Sequence, residues 1–207
     1  MDGLFVPPPN FDFASSKPSI LSTRRLRRRH ERLHGPVHRF FLAAIPDSET
    51  AGRIANVATL ERAKHGLTGK PLQTGRFHVT LHHVGAMDSP AWPHQIDDLV
   101  RRATNVVMPP FRVAFDRAQS FRNGAFVLSG DDGVIGLNVL HQRLNDELDW
   151  QPRPARRFTP HMTLLYDRQR IEEQPTEPIT WTVREIVLVE SLVGQTIHRH
   201  LARIPLS

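Results

Sequence analysis

Phe77-His78-Val79-Thr80-Leu81 and Thr159-Pro160-His161-Met162-Thr163-Leu164 are the stretches on which the fold turns. Both contain His-x-Thr-Leu, and each copy follows an Arg and a Phe within four residues (Arg76-Phe77 and Arg157-Phe158). In a strand, residues i and i+2 point to one face. Each copy therefore presents an imidazole beside a hydroxyl, with Val79 or Met162 turned the other way. Two such strands related by an approximate twofold axis would bring two His and two Thr to a shared cleft. One neutral imidazole can take a proton from water while the other, protonated, supplies one to a leaving oxygen. Thr hydroxyls and a nearby Arg can hold the oxygens of a phosphoryl group. A single such tetrapeptide in a chain with 12 His carries little meaning; the repeat in matching contexts carries more.

Outward from the motifs, strand and helix signals alternate. Residues 38–45 form an apolar run ended by Pro46 and Asp47, which predicts a buried strand and then a helix N-cap. Ala51, Ile54, Ala55 and Ala58 recur at helical spacing up to Gly66. A strand is predicted over 76–84, a helix around Ile96, Leu99, Val100 and Ala103, and strands at 111–115 and 125–128 joined by the turn pair Asn123-Gly124. Leu137, Leu140, Leu144 and Leu148 mark a third helix, and 163–166, 180–189 and 197–204 are the last strands. The Pro-bearing stretches 151–160 and 174–178 are expected to be loops. Gly66-Leu67-Thr68-Gly69-Lys70-Pro71 lacks the spacing of a phosphate-binding loop and is expected to be a turn. The interleaving favours α/β or α+β with two similar lobes over a bundle or a sandwich.

Charge is unevenly distributed. The chain of 207 residues has 27 Lys+Arg against 21 Asp+Glu, but eight of the basic and three of the acidic residues lie in 1–39. Residues 1–34 read as a basic, disordered extension and 35–207 as the folded domain. The absence of Cys excludes a disulfide framework and a thiol nucleophile. No apolar run approaches the ~20 residues of a membrane span, and no signal peptide is recognisable, so a cytoplasmic protein is expected.

The paired motifs resemble the signature of the two-histidine (2H) phosphoesterases, and more closely their 2′-5′ RNA ligase / RNA 2′,3′-cyclic phosphodiesterase branch. Arg39-Phe40-Phe41-Leu42-Ala43-Ala44-Ile45-Pro46 is similar to that branch's first strand, and 188–191 with 201–206 to its final hairpin. The resemblance covers roughly 37–207. It implies an α+β fold, two-lobed, pseudo-symmetric and rich in antiparallel sheet, with the active site in the cleft between lobes. It also implies hydrolysis of a 2′,3′-cyclic phosphate on RNA or a small nucleotide to a 2′-phosphate, without metal or nucleotide cofactor. It implies His78 as proton donor, His161 as base, and Thr80 and Thr163 as phosphate ligands. Where relatives carry Arg after the second motif this chain has Tyr166, leaving Arg76 or Arg168 to hold phosphate. Where relatives have a closing Tyr it has Ile197-His198. Phe77 and Phe158 are candidates for base stacking, with Trp92, Arg102, Arg122 and Arg157 as further RNA contacts. RNA or a cyclic nucleotide is the expected partner, and a monomer is expected because both motifs lie in one chain.

Other readings stay open at this stage. His78, His82 and His83 could form part of a zinc site, although strict alternation puts 78 and 82 on one face and 83 on the other. The same cleft could bind RNA without chemistry. Reversible 2′-5′ ligation without ATP is a third reading; Lys17, Lys64 and Lys70 are the only lysines, and none begins the Lys-x-Asp-Gly pattern of adenylating ligases.

Overall fold

The computed structural model describes residues 37–87, 89–91, 93–148 and 158–207. The expected N-terminal extension lies outside them, as do Trp92 and Arg157. In chain order the elements are β1 (His38–Ala44), α1 (Ser48–Lys64), β2 (Val79–Met87), α2 (Pro93–Ala103), β3 (Phe111–Ser120), β4 (Ala125–Ser129), α3 (Ile135–Leu148), β5 (Met162–Tyr166), β6 (Gln174–Val183), β7 (Glu185–Leu192) and β8 (Ile197–Pro205). They build two four-stranded sheets, in the orders β2-β1-β7-β8 and β5-β4-β3-β6. Every neighbouring pair is antiparallel. The expected α+β architecture of two similar lobes is what forms, and each His-x-Thr strand is an edge of its sheet.

Local chemistry sets the helices. Asp47 caps α1 by accepting the Thr50 N–H at 2.7 Å, and Gly66 follows the helix with φ +62°, a left-handed turn that glycine adopts without strain. In α3, Leu137, Leu140, Leu144 and Leu148 are all buried, the apolar stripe of an amphipathic helix. This helix packs on β2 of one sheet and β3 of the other. One continuous core joins the two lobes, with Leu42, Leu81, Phe115, Leu128, Leu140 and Leu164 among its members. Among the described residues, no helix is long and apolar enough to cross a membrane.

Three expectations need correction. Residues 174–178 are not a loop: Pro175 and Pro178 lie in β6, at the outer edge of the second sheet, where an absent N–H is tolerated. The strand expected over 180–189 is two strands, broken at Arg184, whose carbonyl accepts the N–H of Leu206. The strand expected from residue 76 begins at Val79, after a 3-10 turn at Thr74–Arg76, so His78 stands at its entrance.

The expected turn at 66–71 forms, and its amides are occupied from within. Asp167, just past β5, accepts the N–H groups of Thr68 and Gly69 at 2.7 Å each and that of Gln169 at 2.9 Å. Backbone hydrogen bonds, Gln169 and Gly69 foremost, hold its carboxyl at about 2 against burial, which acts the other way. A Cβ on Gly69 would meet the Tyr166 carbonyl oxygen at 2.1 Å. Gly69→Ala should therefore destabilise the protein by about 1–3 kcal/mol in chemical denaturation, as overpacking does. Gly52, within α1, has open space around its Cβ position. Gly52→Ala should instead stabilise by about 0.5–1 kcal/mol.

Candidate active site

The two motifs fold alike to the level of single residues. In β2, Leu42 pairs with His82 and Ala43 with Thr80, leaving Leu81 as an extra residue. In β5, Phe126 pairs with Leu165 and Val127 with Thr163, leaving Leu164 as the extra residue. The Leu of each His-x-Thr-Leu is thus a β-bulge. Burial runs identically through both strands: Val79 and Met162 buried, Thr80 and Thr163 half-buried, Leu81-His82 and Leu164-Leu165 buried, His83 and Tyr166 exposed.

The bulge reverses the alternation beyond it. His83 pairs with Phe41 and Thr80 with Ala43, so both lie on the face that carries Phe41 and Ala43. His82 goes to the opposite face, where its Nδ1–H donates to Asn145 Oδ1 of α3 at 2.7 Å. This inverts the alternation expected from sequence and splits the candidate zinc cluster His78, His82 and His83. Among the described residues no three His, Asp or Glu side chains come together as a metal-holding group.

Both motif histidines sit one residue before their strands, in the same local geometry. His78 Nδ1 bonds the Arg76 carbonyl at 2.7 Å, and His161 Nδ1 bonds the Thr159 carbonyl, also at 2.7 Å. A carbonyl only accepts, so Nδ1 carries the proton in each ring and Nε2 is left to exchange one. Thr80 and Thr163 stand two residues on, each half-buried.

The surroundings of the two rings differ. His78 stacks on Phe41 with ring centres 4.9 Å apart and meets His198 edge-on at 5.3 Å. Burial pushes the His78 imidazole down to about 4; the Arg76 carbonyl opposes this, and the charges of His161, Arg76 and His83 add to it. His198 is also pushed to about 4, first by burial and then by the charges of His78 and Arg76. His83 is lowered first by the desolvation its surroundings impose although part of its side chain stays exposed, with His82, Arg39 and His161 contributing. These mutual effects place His78, His83 and His161 within electrostatic reach of one another. His161 meets the edge of Phe121 at 4.8 Å.

Of the expected phosphate ligands, Arg76 stays with the histidines. Its Nε is buried without a hydrogen-bond partner, a donor whose desolvation an anionic oxygen would offset. Arg168 is exposed in the turn after β5, and no described contact joins it to either histidine. Phe77 is 1% exposed and belongs to the core, so it has no free face for a base. Phe158 stacks on His141 of α3 with ring centres 3.9 Å apart. His198 enters the sequence reading only as a departure from the family pattern. The β7–β8 pairing that carries it is the expected final hairpin, but its contact with His78 joins residues 120 positions apart in sequence.

The arrangement is a pair of imidazoles in one tautomer, each beside a hydroxyl, with an arginine whose Nε is buried close to one of them. It suits transfer of protons to and from the oxygens of a phosphoryl group. No curated protein matches the chain. Among solved structures it is similar to E. coli LigT complexed with 3′-AMP, with 25% identity, a TM-score of 0.65, and coverage of 83% of this chain and 99% of that one. LigT complexed with NADP+ gives 25% identity and a TM-score of 0.64, with coverage of 82% and 98%. The protein TT0787 of Thermus thermophilus shares the fold at 20% identity and a TM-score of 0.63, with coverage of 81% and 97%. The 2′-5′ RNA ligase superfamily profile matches residues 46–195, most of the described domain, and the chain belongs to that superfamily of two-histidine phosphoesterases.

Proposed function

We propose that this protein hydrolyses 2′,3′-cyclic phosphates at RNA ends, or on small nucleotides, to 2′-phosphates without a metal. The observation that carries the reading is the matched pair His78 and His161, each with Nδ1–H tied to a carbonyl two residues back. LigT structures with 3′-AMP and NADP+ support a nucleotide as ligand. In this reading His161 Nε2 takes a proton from water as its oxygen attacks phosphorus. The bond from phosphorus to the 3′ oxygen breaks, and that oxygen receives the proton of His78 Nε2. Thr80, Thr163 and Arg76 hold the non-bridging oxygens as charge builds on them. Burial keeps His78 unprotonated in the empty site. An anionic phosphate beside it favours the imidazolium, so the substrate itself loads the acid. Both histidines belong to one chain, and the reading includes a monomer acting in the cytoplasm.

Purified protein should hydrolyse RNA with a 2′,3′-cyclic phosphate end, or the corresponding mononucleotides, equally with and without EDTA. His78→Ala and His161→Ala should each lower kcat by at least ~10²-fold. Wild-type rates in either variant, or loss of activity in EDTA, would overturn the reading.

The depressed histidines also set a pH dependence. With His78 near 4 in the free enzyme and required in its protonated form, the alkaline limb of kcat/KM that it sets should begin near pH 4 instead of 6.5. Between pH 6.5 and 4 the unfolded chain binds more protons at His78 and His198 than the folded one does. Their contribution to stability is therefore complete above 6.5 and lost as the pH falls toward 4. Thermal melts should show Tm dropping over that window. Inorganic phosphate should reduce the drop by stabilising protonated His78, and His78→Phe should make it smaller.

A further inference from the structure

Each bulge leaves a carbonyl out of its sheet ladder, and the two carbonyls are satisfied differently. Leu164 O accepts the backbone N–H of Leu72 at 2.8 Å. Leu81 O accepts Nδ1–H of His141, on α3, at 2.6 Å. The rest of that imidazole is equally committed. Its Nε2 accepts from Asn145 Nδ2 at 2.9 Å, and Asn145 Oδ1 accepts from His82 Nδ1 at 2.7 Å. The donor directions form one consistent chain. Leu81 O can only accept, so Nδ1 of His141 is protonated; in the neutral ring Nε2 must then accept, and Asn145 turns its amide nitrogen there and its oxygen to His82. The face of the His141 ring carries Phe158, three residues before His161.

We propose that His141, oriented by Asn145, is a positioning residue: its hydrogen bond to Leu81 O pins the bulge after Thr80 and so holds the first motif, while its stack on Phe158 is packing. The inference rests on His78 and His161 being the reacting pair. That hydrogen bond fixes the backbone between Thr80 and His83, and a displacement of the first motif by a fraction of its reach from phosphorus would be felt as lost rate.

The test separates hydrogen bonding from packing. His141→Phe keeps a ring against Phe158 but loses the donor to Leu81. His141→Asn places an amide nitrogen at the Nδ1 position, keeping the donor and losing the ring. A purely structural role predicts that activity follows stability, so the Asn variant, with the larger void, should be the worse enzyme. Positioning predicts the reverse: His141→Phe should lower kcat by ~10-fold or more with KM changed less than ~3-fold, while His141→Asn keeps kcat within ~3-fold despite a lower Tm. The amide resonances of residues 81–83 should shift in His141→Phe and stay in place in His141→Asn. Higher activity in the Phe than in the Asn variant, or shifts confined to α3, would overturn the inference. A wild-type protein inactive on every cyclic phosphate would overturn the proposed function instead, and the resonance shifts would then decide the role of His141.

Discussion

The extra residue that follows the Thr of each motif strand is the constraint from which the site follows. A regular strand would carry Thr80 and His82 on one face, and Thr163 and Leu165 likewise. That would turn Leu165 out of the core and pull His82 from Asn145. By giving up one step of pairing at Leu81 and at Leu164, each strand keeps two consecutive side chains in the core and still points outward both the Thr and the third residue after it. The lobes repeat this device with unlike residues at the outward position, His83 in one and Tyr166 in the other. Symmetry of the backbone thus supports asymmetry of the chemistry.

That asymmetry extends to charge. Around His78 lie Phe41, His198 and Arg76, and no carboxylate figures among the causes of its shift. An imidazole so placed has little tendency to ionise until negative charge arrives, which couples ligand binding to proton uptake. The formal +6 of the whole chain contributes little to this, because most of the excess lies before residue 40. What matters locally is one buried guanidinium nitrogen and, among the described residues, no carboxylate acting on His78.

How much of this is legible in the sequence depends on the range of the interactions involved. The paired motifs, the helix stripe of α3 and the Asp47 cap are written in spacings of two to four residues, and they form as read. The bulges are not legible, because they exist only as a mismatch between a strand and its partner. Their one trace is the run Leu164-Leu165, which interrupts alternation. His141 cannot be singled out from sequence, since its three partners come from β2, from its own helix and from the segment before His161. Phe77 misleads for a related reason: an aromatic beside a motif histidine faces the core once the strand is built. Pro175 and Pro178 suggest a loop because the position of a strand within its sheet is not a local property.

Those two prolines have a consequence of their own. A strand at the margin of a sheet offers its free amides and carbonyls to any other extended chain, including another copy of itself. Two residues without N–H groups interrupt that row in β6. At the far margin of the first sheet, β8 sets Arg199 and Arg203 along its length. Both outer margins thus discourage strand-to-strand stacking of molecules. Resistance to aggregation is built into the periphery of the fold, independent of the residues that face the phosphate.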